Sequence, residues 1–391
     1  MKKVSVVVPC YCTKREWIER LFHSMQKQTL GRDNIEIIFV VDASPDHTFE
    51  MLQEYEAMSP ENVMIVNCDE KVGPGGARTI GITYASGEYV AFVDQDDWVE
   101  QCMYEHMYQK AILYDCDMVE SYNTRDRKYC YHEGKPRRTG KEDAFYVLDS
   151  IEKKKEYFRE EKPEERKYWA KIYKRNFLLE NEVFFPANVK YDDNFFKGLT
   201  FYLAKRIYVL EEYLYHWMVN GESISMQNDF GAHLDRMKIE QMKLQEYERR
   251  GLLGVYRDEM EYIFLEQFFA NTLNTIFTRN RSMSLELLDY IRQEVFRHFP
   301  DYRNNPYIEV RNPVWNMGMW IMNALRGIEQ VRGTRVDVPG EVLRKIASLS
   351  FLDLLEADMT QTDLDWFCSI YVAFDKAAKY INFEKLKGSG D

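Results

Sequence analysis

Val4-Ser5-Val6-Val7-Val8-Pro9 decides the fold: a largely β-branched run that ends in a proline, followed by Trp17, Leu21 and Met25 spaced four apart. A buried strand passing into one face of an amphipathic helix accounts for both halves. The pattern recurs. Ile35 to Val41 is a second apolar run, the turn Ser44-Pro45-Asp46 opens a helical window from Thr48 to Met58, and Val63 to Val66 is a third run. Another helix is expected over Ala77 to Ala85, and Ser86-Gly87 turns into a fourth run, Tyr89 to Val93. Four short strands alternating with three helices predict a parallel sheet covered by helices on both faces. Ligands of such open sheets bind beyond the carboxyl ends of the strands, where Pro9, Asp42 and Asp94 fall.

Working outward, the chain has 391 residues, enough for two or three modules, and 52 Lys plus Arg against 64 Asp plus Glu give a net charge of −12. With 45% apolar and 30% charged residues it reads as an ordinary globular protein. An acidic balance disfavours a dedicated nucleic-acid binder, which needs a basic face. The apolar part of Met1 to Val8 is too short for a signal peptide, and no stretch approaches the roughly 18 apolar residues of a membrane helix. Seven cysteines, without paired spacing, argue against a disulfide framework and a zinc site, so a cytoplasmic location is expected. Candidate strands near Asp117 to Glu120 and Arg206 to Leu210 mark a mixed middle region, and Glu152 to Lys167, dense in both charge signs, reads as a solvated helix. Beyond Phe230, windows such as Leu234, Met237, Met242 and Leu244 predict helices. Two domains are expected, an α/β domain over residues 1–228 and a helical region over 229–391.

The sharpest chemical cluster is Asp94-Gln95-Asp96-Asp97-Trp98 at the end of the fourth strand. Three carboxylates in four residues repel one another, which a hard cation such as Mg2+ or Mn2+ relieves; a helix start rich in Asp explains the same residues. Gly73-Pro74-Gly75-Gly76-Ala77-Arg78 precedes it and suits an anion, although tight turns alone also use such glycines. It matches neither the dinucleotide fingerprint nor the Walker pattern. Asp42 can accept from the imide of a uracil ring or cap the helix at Thr48 together with Ser44 and Asp46. In Tyr191-Asp192-Asp193, one of two adjacent carboxyls acquires a raised pKa if both are partly buried, as a general base requires; a plain helix cap is the alternative. His216, among aromatics, suits a metal, a phosphate or simply the core.

Together these segments resemble the family-2 glycosyltransferases, inverting enzymes of the GT-A fold that use nucleotide-diphosphate sugars. The resemblance runs through Val6-Val7-Val8-Pro9-x-Tyr11, Asp42-x-Ser44-Pro45-Asp46-x-Thr48, Gly73 to Arg78, Gly81-Ile82, Ala85 to Tyr89 and Asp94 to Trp98. It continues through Trp169-x-Lys171-Ile172-Tyr173, Tyr191-Asp192-Asp193 and Ser223-Ile224-Ser225, and so covers roughly the first 225 residues. It implies that Pro9, Tyr11, Asp42, Gly75, Gly76 and Arg78 hold the nucleotide, with Gln95, Lys171, Ser223 and Ser225 around the donor. Asp94 and Asp96 correspond to the family's metal-binding pair, with Asp97 in reserve and His216 completing the site for Mn2+ or Mg2+. Asp193 corresponds to the catalytic base, beside Asp192 where Glu is commoner. Val41, Cys12 and Lys71 depart from the usual residues around the nucleotide.

The implied reaction moves a hexose or N-acetylhexosamine from a nucleotide-diphosphate sugar, expected to be a UDP-sugar, to a glycan or lipid-linked acceptor in cell-envelope polysaccharide synthesis. The rivals are a catalytically silent nucleotide-sugar scaffold, which intact Asp94, Asp96 and Asp193 oppose, and a sugar-phosphate nucleotidyltransferase, which the pairing of the two acidic motifs opposes. In the C-terminal region Val314, Trp315, Met317, Met319, Trp320, Ile321 and Met322 form an apolar segment, read as a buried helix, a contact with the inner membrane face or a homo-oligomer surface.

Overall fold

In a computed structural model, residues 2–131, 134–161, 166–219, 231–280, 282–310, 352–365 and 368–369 are described. The chain divides into two compact units, Met1–Gln227 and Asn228–Asp391. Ser223, Ser225 and the segment from Val314 to Met322 lie outside the described residues.

The first unit is built on β1 (Val4–Cys10), which pairs in parallel with β2 (Ile35–Val41) and β4 (Tyr89–Phe92), while β3 (Val63–Asn67) extends the sheet beyond β2. β2 is buried along its whole length and β1 nearly so, because helices cover both faces and leave no solvated side for polar residues. Those helices are α1 (Arg15–Gln26), α2 (Thr48–Met58) and α3 (Gly73–Tyr84). α1 buries Ile18, Leu21, Phe22 and Met25 in one stripe.

Past β4 the sheet stops being parallel. β5 (Trp98–Val99), β6 (Met118–Asp126), β7 (Ala144–Val147), β8 (Lys171–Lys174) and β9 (Arg206–Met218) complete the path β3-β2-β1-β4-β8-β6-β9-β5, with β7 also on β9. β8 runs antiparallel to β4 and β6, β9 runs parallel to β6, and β5 and β7 run antiparallel to β9. The expectation of a mostly parallel sheet therefore holds for the first four strands, and the remainder is mixed. β9 outruns its apolar seed by eight residues, to Met218. The extension passes through Glu211 and Glu212, which stay buried because Tyr122 and Thr139 donate to the first while His106 and Arg138 bond the second.

α4 (Met103–Leu113), α5 (Ile151–Glu161), α6 (Arg175–Glu180) and α7 (Asp192–Leu203) pack around this half. α5 is less solvated than its charge density suggests: Tyr157 and Phe158 are buried, and Lys154 donates to the carbonyls of Tyr202 and Ala204 at 2.5 and 2.9 Å. Burial lowers that ammonium to about 8.

The second unit is helical in its described residues, with α8 (Gly231–Arg249), α9 (Arg257–Phe264), α10 (Asn271–Thr275), α11 (Leu285–His298) and α12 (Pro306–Val310). Wider π turns at Leu265–Ala270 and Ile276–Asn280 follow α9 and α10. Its core gathers Phe264, Leu265, Phe268, Phe269, Leu273, Leu288, Ile291 and Val295. Among the described residues no helix is long and apolar enough to cross a membrane.

Candidate active site

The carboxyl ends of β1, β2 and β4 bring the first group of residues together. Gln95 straps the turn after β1: its Oε1 accepts from the Tyr11 N–H at 3.0 Å and its Nε2 donates to the Tyr11 carbonyl at 3.1 Å. Asp42 is buried at the end of β2, where its N–H donates to the Cys10 carbonyl at 2.9 Å and its Oδ1 accepts from the Val72 N–H at 2.6 Å. Asp42 thus ties β2 to the start of α3. Asp46, just ahead of α2, accepts from the N–H and the hydroxyl of Thr48 at 3.1 and 2.6 Å. The Lys71 ammonium stands 3.6 Å from the centre of the Tyr11 ring.

The glycines of α3 serve close packing. A Cβ on Gly75 would meet the Pro186 carbonyl at 2.3 Å and Asp192 at 2.8 Å, and one on Gly76 would meet Val72 at 2.7 Å. The space that sequence reading assigns to an anion at Gly75 and Gly76 is filled by the chain itself on that side. Their smallness brings α3 against the start of α7, and Arg78, one turn further on, lands between the two acidic motifs. Its Nη2 donates to Asp94 Oδ1 and its Nη1 to Asp192 Oδ2, both at 2.8 Å. The guanidinium lies over Tyr168 at 4.7 Å and Phe185 at 5.5 Å, and the Tyr168 hydroxyl also donates to Asp94 Oδ1 at 2.9 Å. Sequence reading found Arg78, Asp94 and Asp192 but missed Tyr168 and Phe185, which stand outside any charged motif.

These surroundings separate the two aspartates of α7. Burial raises Asp192 to about 6 despite its bond to Arg78. Asp193 is about a quarter exposed and sits 3.2 Å from Lys197. Burial pushes its pKa upward, but Lys197, Arg78 and Lys167 outweigh that and hold it below its usual range. Asp193 is therefore ionised at neutral pH and accessible, whereas Asp192 is inside and anchors Arg78.

Three sequence-predicted residues are occupied elsewhere in the fold. Asp97 is buried, accepting from the Tyr215 hydroxyl at 2.6 Å and the Met218 N–H at 2.8 Å, so both of its oxygens brace β9. His216 stacks on Trp98 at 3.5 Å and bonds Glu100 at 2.9 Å and Asp126 at 2.6 Å through its two ring nitrogens, which leaves neither for a metal. Lys171 is buried against Glu120 at 2.8 Å, with Arg166 on the other oxygen at 2.7 Å, instead of facing a diphosphate. In each case the partner is too remote in sequence for a local motif to reveal it.

Of the residues expected at a cation, Asp94 keeps a carboxylate oxygen for one. Among the described residues no group of three His, Cys, Asp or Glu side chains forms a cage. Oδ2 of Asp94 accepts no hydrogen bond from a described residue, and its side chain is 31% exposed. Magnesium-like ions commonly take one or two carboxylates and complete their shell with substrate phosphates, so this donor set fits a cation shared with a diphosphate.

At the strand ends of a mixed α/β sheet, one arginine thus bridges an acidic loop to a second carboxylate pair. Comparison with known proteins identifies the family. The profile of Glycosyl transferase family 2 matches residues 5–178. The glycosyltransferase EpsJ of Bacillus subtilis is 27% identical over 321 residues, covering 76% of this chain and 87% of that protein. The poly(ribitol-phosphate) beta-glucosyltransferase of Bacillus spizizenii is 27% identical over 312 residues, 77% of this chain but 44% of the relative, so the chain spans less than half of that protein. Among solved structures, Staphylococcus aureus TarS 1-349 in complex with UDP-GlcNAc superposes with a TM-score of 0.57 at 20% identity, covering 96% of this chain and 92% of that one. The chain belongs to glycosyltransferase family 2, with the GT-A fold followed by helices.

Proposed function

We propose that the protein transfers a sugar from a UDP-sugar to a hydroxyl of a cell-envelope glycan or polymer, with inversion at the anomeric carbon. The observation that carries this reading is the single arginine shared by Asp94 and Asp192, with ionised Asp193 beside it. Tyr11 and Asp42 offer a ring and a carboxylate to the base, Asp42 through the oxygen that Val72 leaves unused. Arg78 supplies fixed positive charge where the diphosphate departs, in a site whose buried walls strengthen it. Asp193 takes the proton from the acceptor hydroxyl as that oxygen attacks opposite the diphosphate. Asp192 holds Arg78 in place.

Mn2+ or Mg2+ held by Asp94 and Asp96 would add Lewis-acid charge to the leaving group. The nucleotide named with TarS and the polymer named with the Bacillus spizizenii enzyme support the choice of donor and acceptor class. A hexose or an N-acetylhexosamine fits these comparisons equally. The test is a panel of nucleotide sugars scored for release of the nucleoside diphosphate, with and without Mn2+ or Mg2+. The expected result is turnover of a UDP-sugar that Asp193→Asn abolishes without loss of UDP binding; pyrophosphate release from UTP would assign a nucleotidyltransferase instead.

A further inference from the structure

Between Arg125 and Arg138 the chain places six Lys and Arg against two acidic residues, the reverse of its overall balance of −12. One of those cations and one of those acids are already engaged: Arg138 pairs with Asp143 and Glu212 at 2.6 and 2.7 Å, and Asp126 bonds His216. Arg125, Arg127, Lys128, Lys135 and Arg137 are exposed and form no ion pair with any described residue. Some cations elsewhere on this unit are matched by neighbours, as in Arg15 with Glu54 and Lys153 with Asp149, both at 2.8 Å, whereas Lys27, Lys71 and Lys205 form no ion pair with a described residue; what sets this segment apart is that five such cations lie within thirteen residues.

Two of the unmatched charges are held on aromatic rings. Arg137 lies over the Tyr213 ring at 4.0 Å and Arg125 over the Trp217 ring at 4.6 Å. Tyr213, Tyr215 and Trp217 alternate along β9 and so share one face, and Tyr122 of β6 packs against Tyr213 at 5.8 Å. Between the two capped rings the buried Tyr215 hydroxyl accepts from the Asp94 N–H at 3.2 Å. Arg125 and Arg137 therefore form a row along the strand whose Tyr215 reaches the acidic loop of the candidate active site.

We propose that this row is the acceptor track, and that it takes a polyanionic polymer in which phosphodiesters link polyol or sugar units. The guanidiniums pair with the phosphates, aromatic faces meet the C–H faces of the units between them, and a local positive field overcomes the repulsion of an acidic protein. The inference rests on the glycosyltransferase reading above and names its acceptor. An anionic membrane surface is the less favoured partner. From Arg125 to Lys141 the chain has no Leu, Ile, Val, Phe, Met or Trp to serve as an apolar anchor.

The experiment uses the full chain and the variant Arg125→Ala, Arg127→Ala, Lys128→Ala, Arg137→Ala. The probe is fluorescently labelled poly(glycerol phosphate), followed by anisotropy, with neutral dextran and phosphatidylglycerol vesicles as the other arms and UDP calorimetry alongside. With about five cations engaged, affinity for the polymer is expected to fall roughly a hundredfold between about 50 and about 200 mM salt. The variant is expected to lose at least about tenfold at low salt, by the same counterion argument, while UDP affinity is kept. Equal polymer binding by both proteins, binding indifferent to salt, or patch-dependent binding to vesicles but not to polymer overturns the track. A wild-type protein that ignores UDP condemns the donor reading through calorimetry alone, while the polymer arms still judge the track.

Discussion

At the scale of single residues, the two adjacent aspartates of α7 divide the work through their surroundings. Asp193→Asn keeps the shape of the site but removes the proposed proton acceptor, so turnover should fall by about 10²–10⁴-fold with UDP affinity unchanged; steady-state kinetics beside calorimetry measures both. Asp192 gives the pH dependence its sign. Burial raises it to about 6, so below that pH it is protonated and no longer offers an anion to Arg78; above it the pair is complete. Accordingly kcat/KM should rise through about pH 6 and level off, and Asp192→Asn should flatten that limb. A limb that persists in Asp192→Asn but vanishes in Asp193→Asn would exchange the two roles. The sequence made both carboxylates visible, since they stand side by side after Tyr191. The resemblance named Asp193 as the base, but the residues by themselves could not rank the pair, because burial and the reach of Arg78 and Lys197 come only with tertiary structure.

At the scale of elements, the legible parts were those whose signals are local. β1 to β4 announce themselves as apolar runs closed by turn residues and α1 and α2 by spacing or a preceding turn, whereas α3, expected from Ala77, begins at Gly73 because the glycine-rich stretch forms its first turn. The mixed half was legible only as the seeds of β6 and β9, because β9 carries Glu211, Glu212 and His216, whose charges are answered from β6, α4 and the Arg138 segment. Asp97, Lys171 and His216 have contacts that no local motif reveals, because their partners Tyr215, Glu120 and Glu100 come from elsewhere in the chain. The contact between α3 and α7 yields a sharp test. Gly75→Ala sets a methyl against the Pro186 carbonyl and Asp192, so the helices must part. Stability should drop by about 1–3 kcal/mol, read from urea midpoints, and activity should fall further than stability alone explains, because Arg78 loses its register with Asp192.

For the whole molecule, the strand ends, the acidic loop and both aspartates of α7 belong to the first compact unit. That unit has its own core, from Val4 to Met218. Residues 1–227 expressed alone should therefore unfold in one cooperative transition and bind UDP as the full chain does, as thermal denaturation and calorimetry would show. A fragment that folds but has lost UDP affinity would mean the second unit contributes to donor binding. The helical unit was readable as helical from periodicity alone, but its role was not, since apolar stripes report burial and carry no chemistry. Arg78 has one further consequence. A lone guanidinium split between two acids behaves as a common wire: neutralise either flank, by a proton or by a docked metal, and the cation leans toward the other. The acidic loop and the start of α7 are thereby electrically aware of each other, without any part of the backbone having to move.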